Sequence, residues 1–199
     1  MPNPSAPARP PIWSTPDLSR PPVSSWACQL NPFLAHKHHG LAPIAFDVRR
    51  LPSLITFSSF TPGVIPLVDE HRAQPATFPL VPMLRIAEVA DDPLGLPWPI
   101  VIQNPSGVTC EDVWTAIYGT LQAPLGWAEY AALTERRKEQ VKWSYAERTR
   151  TDMSAEAPAP GAEDGCRRID LIGGRCMFRG LEPSSSGDGT AWTMFLGPP

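Results

Sequence analysis

An α+β domain, with a small, mainly antiparallel sheet packed against two consecutive helices, is the fold class this sequence predicts. Three observations carry it. The apolar runs ahead of residue 109 are short and closed by prolines, which suits strands better than long helices. Two stretches, starting at Thr109 and at Gly126, repeat apolar residues at the helical period. A Gly173-Gly174 pair then separates two further apolar runs, the pattern of a tight hairpin.

A chain of 199 residues has room for one domain and its tails. Eight of the 26 prolines fall within residues 1–25, among small and polar residues. Such a stretch buries too little to offset the entropy of ordering it, so 1–25 reads as a disordered, proline-rich arm, locally polyproline II. One domain is expected over 26–199, with a flexible acidic loop at about 151–165, where Ala, Pro, Glu and Asp dominate.

Within the domain, Leu30-Asn31-Pro32-Phe33-Leu34 combines turn chemistry with apolar anchors, and His36-Lys37-His38-His39-Gly40 is a polar loop. Ile44-Ala45-Phe46-Asp47-Val48 alternates as a short strand does. Leu51 to Thr61 is apolar, limited by Pro52 and Pro62. A strand spans Leu84 to Val89. Trp98-Pro99-Ile100-Val101-Ile102 is another, its unbroken apolar run predicting burial on both faces. Thr109 is a good N-cap, and Asp112 completes a near capping box, although Glu or Gln is usual there. Cys110, Val113, Trp114, Ile117 and Leu121 then share one stripe, and Pro124 stops the helix. The second helix is expected from Gly126 to Arg150, with Trp127, Tyr130, Leu133, Val141 and Tyr145 on its apolar stripe and a favourable Glu139–Lys142 pair among its charges. A hairpin of 167–172 against 175–180 puts Ile169, Leu171, Cys176 and Phe178 on one face. Ala191 to Leu196 adds a last edge strand.

The order of these segments resembles a known family. Leu30-Asn31-Pro32, Phe46-Asp47-Val48, Ala76-Thr77, Trp98-Pro99-Ile100, Gly107-Val108-Thr109, Asp112-Val113, Tyr130, Arg148 and Ile169-Asp170-Leu171 follow one another as they do in a fungal, mainly basidiomycete, domain family of unknown function. The likeness covers about Trp26 to Leu181, with the acidic loop as a variable insertion. It implies no catalytic residue, ligand or cofactor.

Composition excludes several function classes. The net charge is -3 and no dense basic block exists, so nucleic acid is not an expected partner. No apolar segment approaches the length of a membrane span, and residues 1–25 lack the apolar region of a secretory signal. Cys28, Cys110, Cys166 and Cys176 are widely spaced and form no CxxC pair, which suits thiols in a reducing cytoplasm or nucleus.

The candidate chemistry is sparse. Cys28, His36, His38 and His39 lack the paired spacing of a structural zinc site, so they read as a solvated loop and no metal or cofactor is expected. Cys110 sits in a first helical turn, where a thiol can be activated, and His71 could pair with it, but its place on the apolar stripe favours an inert buried thiol. Gly173-Gly174 lacks the third glycine and following helix of a phosphate loop. Arg137 and Arg148 interrupt the apolar stripe of the second helix, and Asp47 and Asp170 interrupt apolar strands. A guanidinium there must pair or reach solvent, so these four residues form either a structural ion pair at the helix–sheet seam or an anion-binding pocket. Trp143 lies opposite the stripe, among charges, where an aromatic side chain commonly anchors a partner. The sequence therefore favours a non-enzymatic, intracellular protein-interaction module, using Trp143 and the proline-rich arm. The alternative is a small-molecule binder or hydrolase with a charged pocket at the seam.

Overall fold

The computed structural model describes residues 24–58, 64–90, 96–149, 165–185 and 190–199. The proline-rich arm lies outside them as far as residue 23, and so does the acidic loop up to residue 164.

Strands and helices follow in the order β1 (Gln29–Leu30), β2 (Ile44–Ala45), β3 (Thr56–Phe57), β4 (Ile65–Pro66), α1 (Asp69–Arg72), β5 (Thr77–Phe78), β6 (Met83–Val89), β7 (Ile100–Gln103), α2 (Cys110–Gln122), α3 (Trp127–Ala131), α4 (Glu135–Thr149), β8 (Met177–Pro183) and β9 (Ala191–Gly197). The principal sheet runs β7-β6-β9-β8, and only its β6–β9 pair is parallel. Two smaller sheets, β1-β5 and β2-β3-β4, are separate from it. The architecture is α+β: β1 to β5 have two residues each, in the proline-rich first half of the chain, whereas β6, β8 and β9 of the principal sheet have seven.

Helix α2 is the central support. The Thr109 hydroxyl accepts the Asp112 N–H at 3.2 Å, and the Asp112 carboxylate accepts the Thr109 N–H at 2.9 Å. Aspartate completes the box in place of glutamate because Asn104 donates to the same carboxylate oxygen at 2.8 Å and holds it in place. Cys110, Val113, Trp114, Ile117 and Leu121 are all buried, as their spacing predicts. They meet Ile86 and Ile100 of the sheet and Phe46 and Phe178 in the main core. Each large aliphatic side chain so removed from water contributes about 1.5–3 kcal/mol relative to exposure.

Four expectations need correction. The stretch 126–150 is not one helix. It divides into α3 and α4 because Thr134 starts a new helix, its hydroxyl accepting the Arg137 N–H at 3.4 Å. The break turns Trp127 out of the expected stripe into solvent, whereas Val141 and Tyr145 remain buried beside Leu171 in a second, smaller core. Within α4, an ion pair joins Glu135 and Lys138 at 2.7 Å. Second, no hairpin forms across Gly173-Gly174. Residues Arg168–Leu171 make a 3-10 turn, which the Asp170 carboxylate caps by accepting the Arg167 N–H at 2.8 Å. The following strand pairs with β9 instead. Ile169, Leu171, Cys176 and Phe178 are buried all the same, since both turn and strand face the core. Third, β9 is an inner strand, between β6 and β8, and not an edge. Fourth, β7 is the sheet's edge and alternates, with Ile100 and Ile102 buried and Val101 and Gln103 exposed, because nothing described covers its outer face.

Among the described residues no helix is long and apolar enough to cross a membrane.

Candidate functional site

The structure separates the polar residues singled out in the sequence into a closed seam and an open groove. At the seam, Arg148 near the end of α4 grips Asp170 with two hydrogen bonds, Nε to Oδ1 at 2.8 Å and Nη2 to Oδ2 at 2.9 Å. Arg148 also donates to the Gly165 carbonyl at 3.3 Å. The Asp170 side chain is only 2% exposed. Its two oxygens are engaged by Arg148 and by the Arg167 N–H. Pairing with Asp170 pushes the Arg148 pKa further up, so this guanidinium stays charged. Arg137 does not join the carboxylate. It donates to the Leu171 carbonyl at 3.5 Å, which also accepts from Gln140 at 3.2 Å.

A second pair, which the sequence analysis missed, holds the same turn from the other side. Arg168 donates to Glu129 of α3 at 2.6 Å and lies over the Trp98 ring, 4.4 Å from its centroid. Glu129 also accepts the Gly126 N–H at 2.8 Å, capping α3. Burial pushes the Glu129 carboxyl up, but the hydrogen bonds from Arg168 and Gly126 outweigh it and hold its pKa below the ordinary range. The glutamate three residues after Gly126 was the available signal: it is the pattern of a helix cap.

Asp47 lies elsewhere and is not a partner for α4. Arg49, two residues on in the same turn, reaches it first: its N–H donates to Oδ1 at 3.0 Å and its Nη2 to Oδ2 at 2.7 Å. Burial raises the Asp47 carboxyl, but the Arg49 hydrogen bonds and the two neighbouring charges prevail and hold its pKa low. Arg50 stands farther off, at 3.8 Å, with most of its side chain in solvent.

Asp47 and Arg50 border an open groove of about 290 Å3. Buried Phe46 and Ile55 also line it, together with Leu51, Leu54 and Val64. Leu54 is 59% exposed and Val64 80%, unusual for aliphatic side chains standing together. The backbone places them there: Pro52 opens a 3-10 turn over 52–54, and β4 pairs with β3 just after Val64. Trp143 of α4 is 51% exposed and Trp127 of α3 is also open to solvent.

Cys110 is unsuited to nucleophilic chemistry. Burial, with Glu111 adding to it, pushes its thiol up to about 12. His71 packs edge-on against Phe33 and Phe57. Cys110 and buried Cys176 should therefore react with a thiol probe in the folded protein at least about a hundredfold more slowly than in denaturant. Rapid labelling of native Cys110, followed by mass spectrometry, would contradict its burial.

Fold and site together define a small α+β domain with a polar seam consumed in its own architecture and an exposed aliphatic groove. The chain belongs to a family of unknown function (DUF6699), whose model matches residues 44–189. The groove, α2, both seam pairs and β8 all fall within that span, and β9 falls after it. No curated protein and no solved structure matches the chain.

Proposed function

We propose that this domain is a non-enzymatic interaction module whose groove receives an apolar side chain of a partner protein, flanked in that partner by an acidic residue. The single observation that carries this reading is the exposure of Leu51, Leu54 and Val64 around one open groove. Exposed apolar clusters with a polar rim mark docking surfaces, and a central anchor in such a cleft supplies most of the binding energy. The acidic flank follows from charge. Arg49 grips Asp47 at 2.7 Å, whereas Arg50 meets the same carboxylate only at 3.8 Å and is 71% exposed, so it is the rim cation that a partner's carboxylate can reach. Trp143, exposed on α4, is a second candidate anchor for the same kind of partner. Four free thiols, three of them buried, suit work in a reducing cytoplasm or nucleus. The alternative of a charged pocket at the seam draws less support, because Asp170 is already engaged by Arg148 and Arg167.

Selection of a displayed random-peptide library against the full-length chain tests this. The enriched peptides should share an apolar residue with an Asp or Glu beside it. Their affinity should fall roughly tenfold or more in Leu54→Asp and be retained in Trp143→Ala. Failure to enrich any such motif, or equal binding by Leu54→Asp, would overturn the groove assignment. Loss in Trp143→Ala alone would move the docking surface to α4.

A further inference from the structure

We infer that His36, His38 and Glu182 form a binding site for a divalent transition-metal ion of borderline softness, zinc foremost. The histidines of the loop 36–40 have no paired ligand nearby in the sequence. The missing ligand comes instead from β8, 146 positions along the chain. His36 Nδ1 stands 2.7 Å and His38 Nε2 3.1 Å from the same oxygen, Oε1 of Glu182. All three donor atoms lie within 4.8 Å of one another.

These distances are close to those of a metal site. Around a tetrahedral zinc ion with bonds of about 2.0–2.2 Å, donor atoms stand about 3.3 Å apart. The two nitrogen–oxygen distances, 2.7 and 3.1 Å, would open by about 0.6 and 0.2 Å to reach that spacing, and the two nitrogens, which lie within 4.8 Å of each other, would settle to it as the exposed His38 side chain moves. Two imidazoles and one carboxylate make a donor set suited to zinc and its neighbours in the first transition row, and less to calcium or magnesium, which prefer oxygen alone. Cys28 is no part of the cluster: it packs against the main core, and burial raises its thiol pKa.

The site is also held in shape before any ion arrives. The His36 N–H donates to the Leu181 carbonyl at 3.0 Å, and the Leu181 N–H donates to the Leu34 carbonyl at 2.7 Å. This fixes His36 beside the residue that precedes Glu182. The His36 ring stacks on Phe195 of β9 with centroids 3.8 Å apart and planes within 7°. That stacking restricts rotation of the ring and so helps to set the direction of Nδ1. His38 packs edge-on against His36, with its ring centroid 5.1 Å away. Its side chain is 73% exposed, so the site opens to solvent on that side and leaves a coordination position for water or a further ligand. The site is independent of the groove: it shares no residue with it.

The test uses the tag-free, full-length chain after chelator treatment and removal of the chelator. Titration with Co2+ and with Zn2+, followed by calorimetry and, for cobalt, visible absorption, should show one saturable site. Zn2+ at a hundredfold excess over its Kd should raise the Tm by about 5 °C or more. His38→Ala removes an exposed side chain and Glu182→Gln keeps the shape of its residue, so both variants should fold. Each should weaken binding by roughly tenfold or more and lose the Tm rise, while His39→Ala should bind like the parent. Absence of saturable binding overturns the site, and so does affinity unchanged in both ligand variants. If Glu182→Gln lowers the Tm of a protein that binds no ion, the three residues are a hydrogen-bonded cluster only. Equal loss in His39→Ala would show that the ligand set is wrong.

Discussion

Replacing Arg148 with alanine is expected to cost on the order of 3–5 kcal/mol, because it strands a buried carboxylate. Asp170 is held by two guanidinium hydrogen bonds and one backbone N–H, and the variant removes both of the former. The backbone bond alone leaves a charge in a site with almost no access to water. In a domain of this size such a loss lowers the Tm by on the order of 10 °C. Adding Asp170→Asn should recover part of the loss, since the two positions are coupled through one interaction. Arg148→Lys should fall in between, because an ammonium cannot make the paired, planar contact. Chemical denaturation of the four proteins measures all of this. If Arg148→Ala were as stable as the parent but lost affinity for an anionic ligand, the seam would be a binding pocket and not a fastening.

Gly180→Ala should be comparably damaging for a different reason. Gly180 has φ +123°, and an added Cβ would stand 2.4 Å from the His36 nitrogen and 2.7 Å from the Ala35 carbonyl carbon. Those atoms are backbone and cannot rotate away. β8 would have to part from residues 34–36, giving up the hydrogen bonds that Leu181 makes on both sides. Backbone strain of about 1–3 kcal/mol and about 1 kcal/mol for each lost hydrogen bond make a total of roughly 3–5 kcal/mol. Gly40→Ala is the matching control. Gly40 also has positive φ, +88°, but its added Cβ meets nothing within 4 Å. It should carry the strain alone, about 1 kcal/mol. Equal losses at the two glycines would show that the close approach of β8 to His36 contributes nothing.

How much of this was legible depended on whether the signal was local. The box of Thr109 and Asp112 and the stripe from Cys110 to Leu121 are written within one helix, and both were read correctly. The approach of Arg148 to Asp170 could be anticipated because each charge interrupts an apolar pattern, which forces a partner. Asp47 met the same criterion and was misassigned, since Arg49 in its own turn satisfies it first. The Gly-Gly hairpin failed in a similar way. The cap that Asp170 makes on Arg167 competes with strand formation, and the partner of β8 lies after it, in β9. The place of β9 between β6 and β8 has no local signature, because a parallel pairing with β6 is a matter of topology. Glu182 was invisible for the same reason: only the sheet brings it to His36 and His38.

The central claim is that the buried charges hold the fold while the exposed aliphatic groove does the binding. It is tested most directly by the affinity of the library-selected peptide for Leu54→Asp and Arg148→Lys, at a temperature where both are folded. Leu54→Asp, at an exposed position, should lose affinity roughly tenfold or more while its unfolding free energy stays within about 0.5 kcal/mol of the parent. Arg148→Lys should bind as the parent does while being measurably less stable. The reverse pattern, affinity lost with Arg148→Lys and kept with Leu54→Asp, would contradict the account.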